Sequence, residues 1–144
     1  MAAIGRGPEN ALAKKLGATV YIDSQTTNAA QELQKLGGAQ AILATVPNSK
    51  AMSELIDGLA PSGRFMVVGI SLDPIAVTPL QLITGERALQ GSAVGTPTDS
   101  EDTMNFSVLT GVRPMIETYP LERAAEAYER MMSGKAQFRV VLTM

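Results

Sequence analysis

The chain has 144 residues, a formal net charge of −2 and a hydrophobic fraction of 45%, and it contains neither cysteine nor histidine. A chain of this length and apolar content is expected to form one globular domain over residues 1–144. The composition excludes disulfides, zinc sites built from cysteine or histidine, and a Ser-His-Asp triad, and the mild acidity argues against a nucleic-acid-binding module.

No apolar run approaches the roughly 20 residues that a membrane-spanning helix needs. The first five residues are also too short and uncharged for a signal peptide. The sequence therefore predicts a cytoplasmic protein.

Short apolar runs alternate with segments of helical periodicity, which is the pattern of βα units around a mostly parallel sheet. Pro8 is expected to begin the first helix and Gly17 to end it. Thr27 is predicted to cap the second helix, with Leu36 on its buried face. The predicted strands are residues 1–5, 19–23, 40–46, 64–70, 89–94 and 138–143, with a short extended piece at 115–119.

Asn48 or Ser49 is predicted to cap the third helix, which runs to Leu59, and residues 61–63 are predicted to form a turn. Thr98 and Glu101 have the spacing of a capping box before a further helix. The helix after Pro120 is expected to turn one face inward, formed by Leu121, Ala124, Ala125, Tyr128, Met131 and Met132.

Four stretches, in this order, resemble the coenzyme-binding domain of the medium-chain dehydrogenase/reductase family, of the zinc alcohol dehydrogenase type. They are residues 12–23 (LAKKLGATVYID), 41–47 (AILATVP), 59–70 (LAPSGRFMVVGI), and 121–135 leading into 138–142 (FRVVL). The third is the most specific. The resemblance covers nearly the whole chain and implies a Rossmann-like, doubly wound, mostly parallel α/β sheet.

The sequence departs from this family in two respects. The family's catalytic domain, which holds zinc through cysteine and histidine, has no counterpart here, so we expect no zinc in this chain. The dinucleotide fingerprint G-x-G-x-x-G is also absent, because Gly5-Arg6-Gly7 continues into Pro8 with no third glycine. The chain is therefore expected to correspond to a partial domain that begins at the family's second strand and lacks its first strand and glycine-rich loop.

The missing strand would lie between the family's second and fourth strands in the order 3-2-1-4-5-6. Its removal would leave a gap of roughly 10 Å and two rows of unpaired backbone groups. We therefore expect a homodimer or a rearranged sheet. The two expected routes to a homodimer are strand exchange at the gap and sheet continuation through the strand from Leu89 to Val94. Neither a nucleic acid nor a membrane is expected as a partner.

The resemblance places the coenzyme at the carboxyl ends of the strands. It implies that Val68, Gly69 and Ile70 meet the nicotinamide, with ordinary strand packing as the alternative. Two further groups are implied on the same grounds and with similar alternatives. They are Thr45, Val46 and Pro47 beside the ribose and nicotinamide, and the backbone from Ser92 to Val94 at the carboxamide.

Two arginines are candidate phosphate ligands. Arg6 stands where this fold usually has an acidic residue for the ribose of NAD, and a guanidinium suits a 2′-phosphate. This favours NADP, with NAD as the other option. Arg139 resembles the family's late arginine that reaches the pyrophosphate. The alternatives are a solvated Arg6 and, for Arg139, an ion pair with Glu126 or Glu129.

Three functional hypotheses remain open from the sequence. The first is the cofactor-binding fragment of an NAD(P)-dependent alcohol dehydrogenase-like oxidoreductase, inactive by itself and with no catalytic residue of its own. The second is a non-catalytic dimerising remnant with little or no dinucleotide binding. The third, a methyltransferase with a similar sheet, is disfavoured because no glycine-rich loop follows the first strand.

Overall fold

The computed structural model describes residues 1–7 and 10–144. They form two compact units, Met1–Ala93 and Val94–Met144, and the single domain expected above stays a prediction. The first unit contains β1 (Ala2–Gly5), α1 (Asn10–Lys15), β2 (Val20–Asp23), α2 (Ala29–Lys35), β3 (Ala39–Ala44), α3 (Ser49–Leu55), β4 (Leu59–Val67), α4 (Pro79–Ile83) and β5 (Ala88–Gly91). The second contains α5 (Pro97–Thr110), β6 (Ile116–Pro120), α6 (Ala124–Met132) and β7 (Arg139–Thr143).

Every strand pairing in the described part of the chain is parallel. In the first unit β1 pairs with β2, and β3, β4 and β5 form a separate three-stranded sheet in that order. In the second unit β6 pairs with β7. The predicted parallel α/β architecture is confirmed. Between β1 and β3 there is no strand pairing among the described residues, at the position where the sequence predicts a missing strand.

One apolar core supports both sheets of the first unit. Ile22 of β2, Leu33 of α2 and Ile42 of β3 belong to the same buried cluster. Its centre is formed by the large side chains with almost no exposure, namely Met52, Ile56, Leu59 and Phe65. Burying each such side chain contributes about 1.5–3 kcal/mol to folding. The core, rather than backbone pairing, therefore connects the two sheets.

The caps of the first unit differ in part from the predictions. Asn48 caps α3 as expected, since its side chain accepts from the Ala51 amide at 3.0 Å. Thr27 does not cap α2, because its hydroxyl donates to the Asp23 carbonyl at 2.9 Å. Asn28 is the cap instead. Leu36 is 57% exposed rather than buried, since it follows the last residue of the helix. The predicted start at Pro8 lies outside the described residues.

The predicted turn at residues 61–63 is wrong, because this segment lies inside β4. The helix ends at Leu55, and Ile56–Gly58 forms a turn of 3₁₀-helix before the strand begins. Gly63 lies so close to the Ala39 carbonyl oxygen that a β-carbon would stand 2.8 Å from it. Pro61 and Gly63 lie where the pairing of β4 with β3 is irregular, between Ala39 and Ala41, and they do not reverse the chain direction.

Two predictions for the second unit are also wrong. The capping box of α5 is formed by Thr96 and Asp99, not Thr98 and Glu101, because Pro97 occupies the first turn of the helix. Of the stripe predicted for α6, the side chains that are half or more exposed are Leu121, Tyr128, Met131 and Met132. Ala127 is the buried residue of this helix. None of the described helices is long and apolar enough to span a membrane.

Candidate functional site

The carboxyl ends of β3, β4 and β5 lie side by side. The register aligns Ala44 with Val67 and Val67 with Gly91, the last residues of the three strands. Beyond them, the amides of Val68 and Gly69 both donate to the Ala44 carbonyl, at 3.0 and 2.9 Å. The structure thus brings two of the predicted segments, 45–47 and 68–70, to one edge of the sheet.

Ser92 continues this edge on the β5 side. Its amide donates to the Val67 carbonyl at 2.9 Å, so it lies next to the end of β4. Ligands of open parallel sheets bind outside the carboxyl ends of the strands. The three segments predicted from the first unit therefore meet where such a ligand would lie. We call the edge formed by residues 45–47, 68–70 and 92 the carboxyl rim.

Glycine at position 69 permits the closest contact within the carboxyl rim. A β-carbon there would lie 2.5 Å from the Val46 carbonyl oxygen and 2.8 Å from that of Thr45, which is far inside van der Waals contact. Pro47 then leads to Asn48, whose amide donates to the Val46 carbonyl at 2.9 Å. Because Asn48 also caps α3, the rim residues after β3 lead directly into the start of that helix.

The exposed side of the carboxyl rim is mostly apolar, with Thr45 and Ser92 as its exposed polar residues. Val46 and Val68 are 48% and 43% exposed, and Ile70 is 85% exposed. No residue of the rim carries an ionisable side chain. The rim therefore presents apolar side chains and two hydroxyl groups, but no ionisable general acid or base.

Arg6 lies on a second feature of the first unit, the loop Gly5-Arg6-Gly7 that follows β1. The Gly5 carbonyl accepts from both the amide and the hydroxyl of Ser24, each at 2.9 Å. The Tyr21 hydroxyl donates to the Gly7 carbonyl at 3.0 Å, and the Gly7 amide donates to the Asp23 carboxylate at 3.1 Å. Arg6 is exposed between two glycines whose backbone is fixed. We call this segment the Arg6 loop.

The sequence identifies Arg6 as a candidate phosphate ligand, but it does not identify the residues that hold the Arg6 loop in place. Tyr21, Asp23 and Ser24 belong to β2 and to the residue after it, and they all bond to the Arg6 loop. The available signal was a pair of glycines flanking one arginine, followed by polar residues at the end of the next strand. A groove of about 540 Å³ begins beside this loop and is lined by Gly7, β2 and the Lys35 end of α2.

The remaining predicted site residues belong to the second unit. Val94 is 96% exposed at the start of that unit, and Arg139 is an exposed residue at the start of β7. The alternative partner Glu126 is paired with Arg123 instead, at 2.5 Å. The roles of Val94 and Arg139 stay predictions.

The donor set for a resident metal is not found in the part of the chain that the structure describes. The sequence has no cysteine or histidine. Residues 1–7 and 10–144 also contain no group of three or more metal-ligating side chains placed to hold an ion. These residues do not fit a zinc site.

Residues 2–108 match the protein family described as zinc-binding dehydrogenase. The chain is 36% identical over 143 residues to alcohol dehydrogenase notN of Aspergillus sp. (strain MF297-2), covering 99% of this chain and 42% of that protein. It is 37% identical over 137 residues to alcohol dehydrogenase patD of Penicillium expansum, covering 92% and 38%. The chain therefore spans about two fifths of the length of these relatives.

Solved structures agree with this assignment. An alcohol dehydrogenase zinc-binding domain protein from Burkholderia ambifaria superposes with a TM-score of 0.86 at 25% identity, covering 99% of this chain and 42% of that one. A cinnamyl alcohol dehydrogenase, SbCAD4 from Sorghum bicolor, has a TM-score of 0.80 at 26% identity, covering 98% and 40%. Nearly all of this chain is covered, but only about two fifths of each relative, as for an alcohol dehydrogenase-like coenzyme-binding domain. The chain belongs to the zinc-binding dehydrogenase family.

Proposed function

We propose that this chain binds a nicotinamide dinucleotide, with a preference for NADP(H), as part of an alcohol dehydrogenase-like oxidoreductase, and that it does not oxidise alcohols alone. The observation that carries the proposal is the convergence of three strand ends at the carboxyl rim. The family supports the class of cofactor. The absence of any ionisable side chain from the rim supports the inactivity of the isolated chain.

The carboxyl rim fits the nicotinamide end of such a cofactor. Val46, Val68 and Ile70 offer exposed apolar side chains to a flat ring. The backbone at Ser92 would meet the carboxamide, and Pro47 would border the ribose. When bound, the nicotinamide supplies hydride transfer. This chain's residues orient the ring and exclude water from one of its faces.

The fit to the diphosphate is weaker. Sequences of this fold receive the pyrophosphate on the backbone amides of G-x-G-x-x-G at a helix start, and this chain has no such motif. The resemblance alone offers Arg139, which belongs to the second unit, as a diphosphate ligand. Because the row of amides is absent, we expect the isolated chain to bind either dinucleotide more weakly than a domain with that motif does.

Arg6 is the basis for the proposed preference for NADP(H). NAD is recognised in this fold by a carboxylate on the ribose hydroxyls, whereas an arginine accommodates a 2′-phosphate. The Arg6 loop presents a guanidinium, which binds phosphate through two parallel N–H donors. Because Asp23 is occupied by the amides of Gly7 and Gln25, at 3.1 and 2.9 Å, its carboxylate already has partners within the protein.

Titration of the purified chain with NADPH and NADH, followed by calorimetry or nicotinamide fluorescence, tests the proposal. We expect NADPH to bind at least about tenfold more tightly than NADH, and Arg6→Gln to remove the difference, since hydrogen bonds to charged groups are worth about 1.5–3 kcal/mol. Arg64→Gln is the matched control, because Arg64 is also exposed but lies within β4. Dissociation constants above about 1 mM for both cofactors would reject dinucleotide binding.

A second candidate function is a non-catalytic module that assembles through its sheet edges. Two strand edges favour it, because β1 and β3 each hydrogen-bond to only one neighbouring strand among the described residues. Unpaired edges readily accept strands from another chain. We propose two routes to a homodimer: strand exchange between β1 and β3, or continuation of the sheet through β5, which ends at Gly91 rather than at the predicted Val94. Light scattering on the purified chain distinguishes a dimer from a monomer, and the titration above separates this module from the first candidate.

A further inference from the structure

We infer that Tyr21 is a positioning residue for Arg6, and through it a determinant of NADP(H) selectivity. The inference rests on the proposed function, since it concerns how the 2′-phosphate ligand is held. Tyr21 belongs to β2, and its hydroxyl donates to the Gly7 carbonyl at 3.0 Å across the Arg6 loop. Nothing in the sequence pattern alone assigns it this role.

The two glycines of the Arg6 loop are adapted to Tyr21 and to the end of β2. A β-carbon at Gly5 would lie 2.7 Å from the Tyr21 hydroxyl oxygen and 3.2 Å from the ring, so a larger residue would displace the tyrosine from this position. Gly7 has a φ of 80°, in the region that favours glycine. Gly5 therefore leaves room for the tyrosine ring, and Gly7 allows the positive φ of the loop.

The bonds to the loop act on both sides of Arg6. On one side, the Gly5 carbonyl accepts from the Ser24 amide and hydroxyl. On the other, Gly7 is held at its carbonyl by Tyr21 and at its amide by Asp23. The Arg6 backbone is thus fixed before any ligand arrives, while its side chain stays exposed. With the backbone already fixed, only the arginine side chain has to be ordered when phosphate binds, which lowers the entropy cost of binding.

This arrangement predicts an effect confined to the phosphorylated cofactor. Removing the tyrosine hydroxyl frees the Gly7 carbonyl and loosens the Arg6 loop, but changes nothing at the carboxyl rim. NADPH affinity should fall, whereas NADH, which has no 2′-phosphate, should bind as before. A residue that merely stabilised the fold would lower both affinities together.

The test is Tyr21→Phe, which keeps the ring over Gly5 and deletes only the hydroxyl. Ser24→Ala is a second variant, which removes one of the two donors to the Gly5 carbonyl. Tyr128→Phe is the control, because Tyr128 is 61% exposed and belongs to the second unit. Dissociation constants are measured for NADPH, NADH and adenosine 2′,5′-bisphosphate on each variant and on Arg6→Gln.

We expect Tyr21→Phe to weaken binding of NADPH and of the bisphosphate at least about threefold, because the hydrogen bond to Gly7 is lost, and to change binding of NADH by less than about twofold. If Arg6→Gln lowers NADPH affinity and Tyr21→Phe does not, the positioning role is overturned while the proposed preference stands. If Arg6→Gln has no effect, or the bisphosphate does not bind the unaltered chain, both are overturned.

Discussion

Gly69 lies against the carbonyl oxygen of Val46 so closely that a β-carbon at position 69 would be 2.5 Å from it. This contact joins the chain after β4 to the chain after β3. It lies within the carboxyl rim and is reinforced by the bonds from the amides of Val68 and Gly69 to Ala44. The geometry of the rim therefore depends on the absence of a side chain at one position.

Gly69→Ala should distort the carboxyl rim. The added methyl group meets backbone rather than a flexible side chain, so the strand ends must move apart, and overpacking of this kind costs about 1–3 kcal/mol. We expect that loss of unfolding free energy in urea, together with weaker binding of NADPH and NADH by similar factors, because both cofactors carry the nicotinamide.

The matched control for this prediction is Gly91→Ala at the end of β5. A β-carbon at Gly91 would have no atom within 4 Å, so the substitution should change stability by less than about 0.5 kcal/mol. Equal effects of the two substitutions would contradict the role assigned to the Gly69 contact.

The elements of the fold were predictable because their signals are local. Buried strands and helix stripes follow from apolar periodicity, and the position of the third helix start limits its cap to Asn48 or Ser49, of which Asn48 is the cap. The errors arose where local and tertiary signals compete. Residues 61–63 have turn composition but are held in β4 by contacts with Ala39 and with the Gly85 carbonyl, which accepts from the Ser62 amide at 2.7 Å.

The position of the candidate site could be predicted from the sequence, but the contacts that hold its residues in place could not. Val46, Val68 and Gly69 could be placed from the strand ends, since carboxyl ends of parallel strands share one edge. The contact between Gly69 and Val46 depends on the register of β3 and β4, which cannot be predicted from the sequence pattern. The bond from Tyr21 to Gly7 likewise requires the pairing of β1 with β2.

Glu117 gives the second unit a predicted dependence on pH. Its carboxylate accepts two bonds from Arg130, at 2.7 and 2.9 Å, and one from the Gln137 amide at 2.9 Å. The side-chain bonds from Arg130, followed by the backbone bond, lower the pKa of Glu117 from 4.5 to about 2. Because the folded pKa is depressed, this stabilisation is complete above about pH 4.5 and is lost as the pH falls toward 2.

The measurement is urea unfolding of the unaltered chain and of Glu117→Gln over this range. We expect the unaltered chain to be more stable near neutral pH and the difference to shrink steadily below about pH 4.5. Glu126→Gln is the control, because the Glu126 pKa is also lowered, by Arg123, but this pair is exposed and spans one helical turn. A difference between the unaltered chain and Glu117→Gln that stays constant with pH would contradict the assignment.

Leu89 tests one of the two proposed routes to a dimer. Among the described residues β5 pairs only with β4, and all four of its residues are exposed, so we expect its other edge to accept a strand from a second copy. In a two-fold symmetric dimer each substitution occurs twice at the interface. Leu89→Lys would therefore place two like charges along paired edges, and lysine at an edge strand is a common barrier to such pairing.

If the dimer forms through β5, Leu89→Lys should raise its dissociation constant at least about tenfold, equivalent to about 1.4 kcal/mol. Analytical ultracentrifugation across a dilution series measures this directly. Leu72→Lys is the control, because Leu72 is fully exposed in a loop of the same unit and adds the same charge. Dimerisation that is equally strong in both variants would exclude β5 as the interface, and would favour exchange of strands between β1 and β3, each of which pairs with one strand among the described residues.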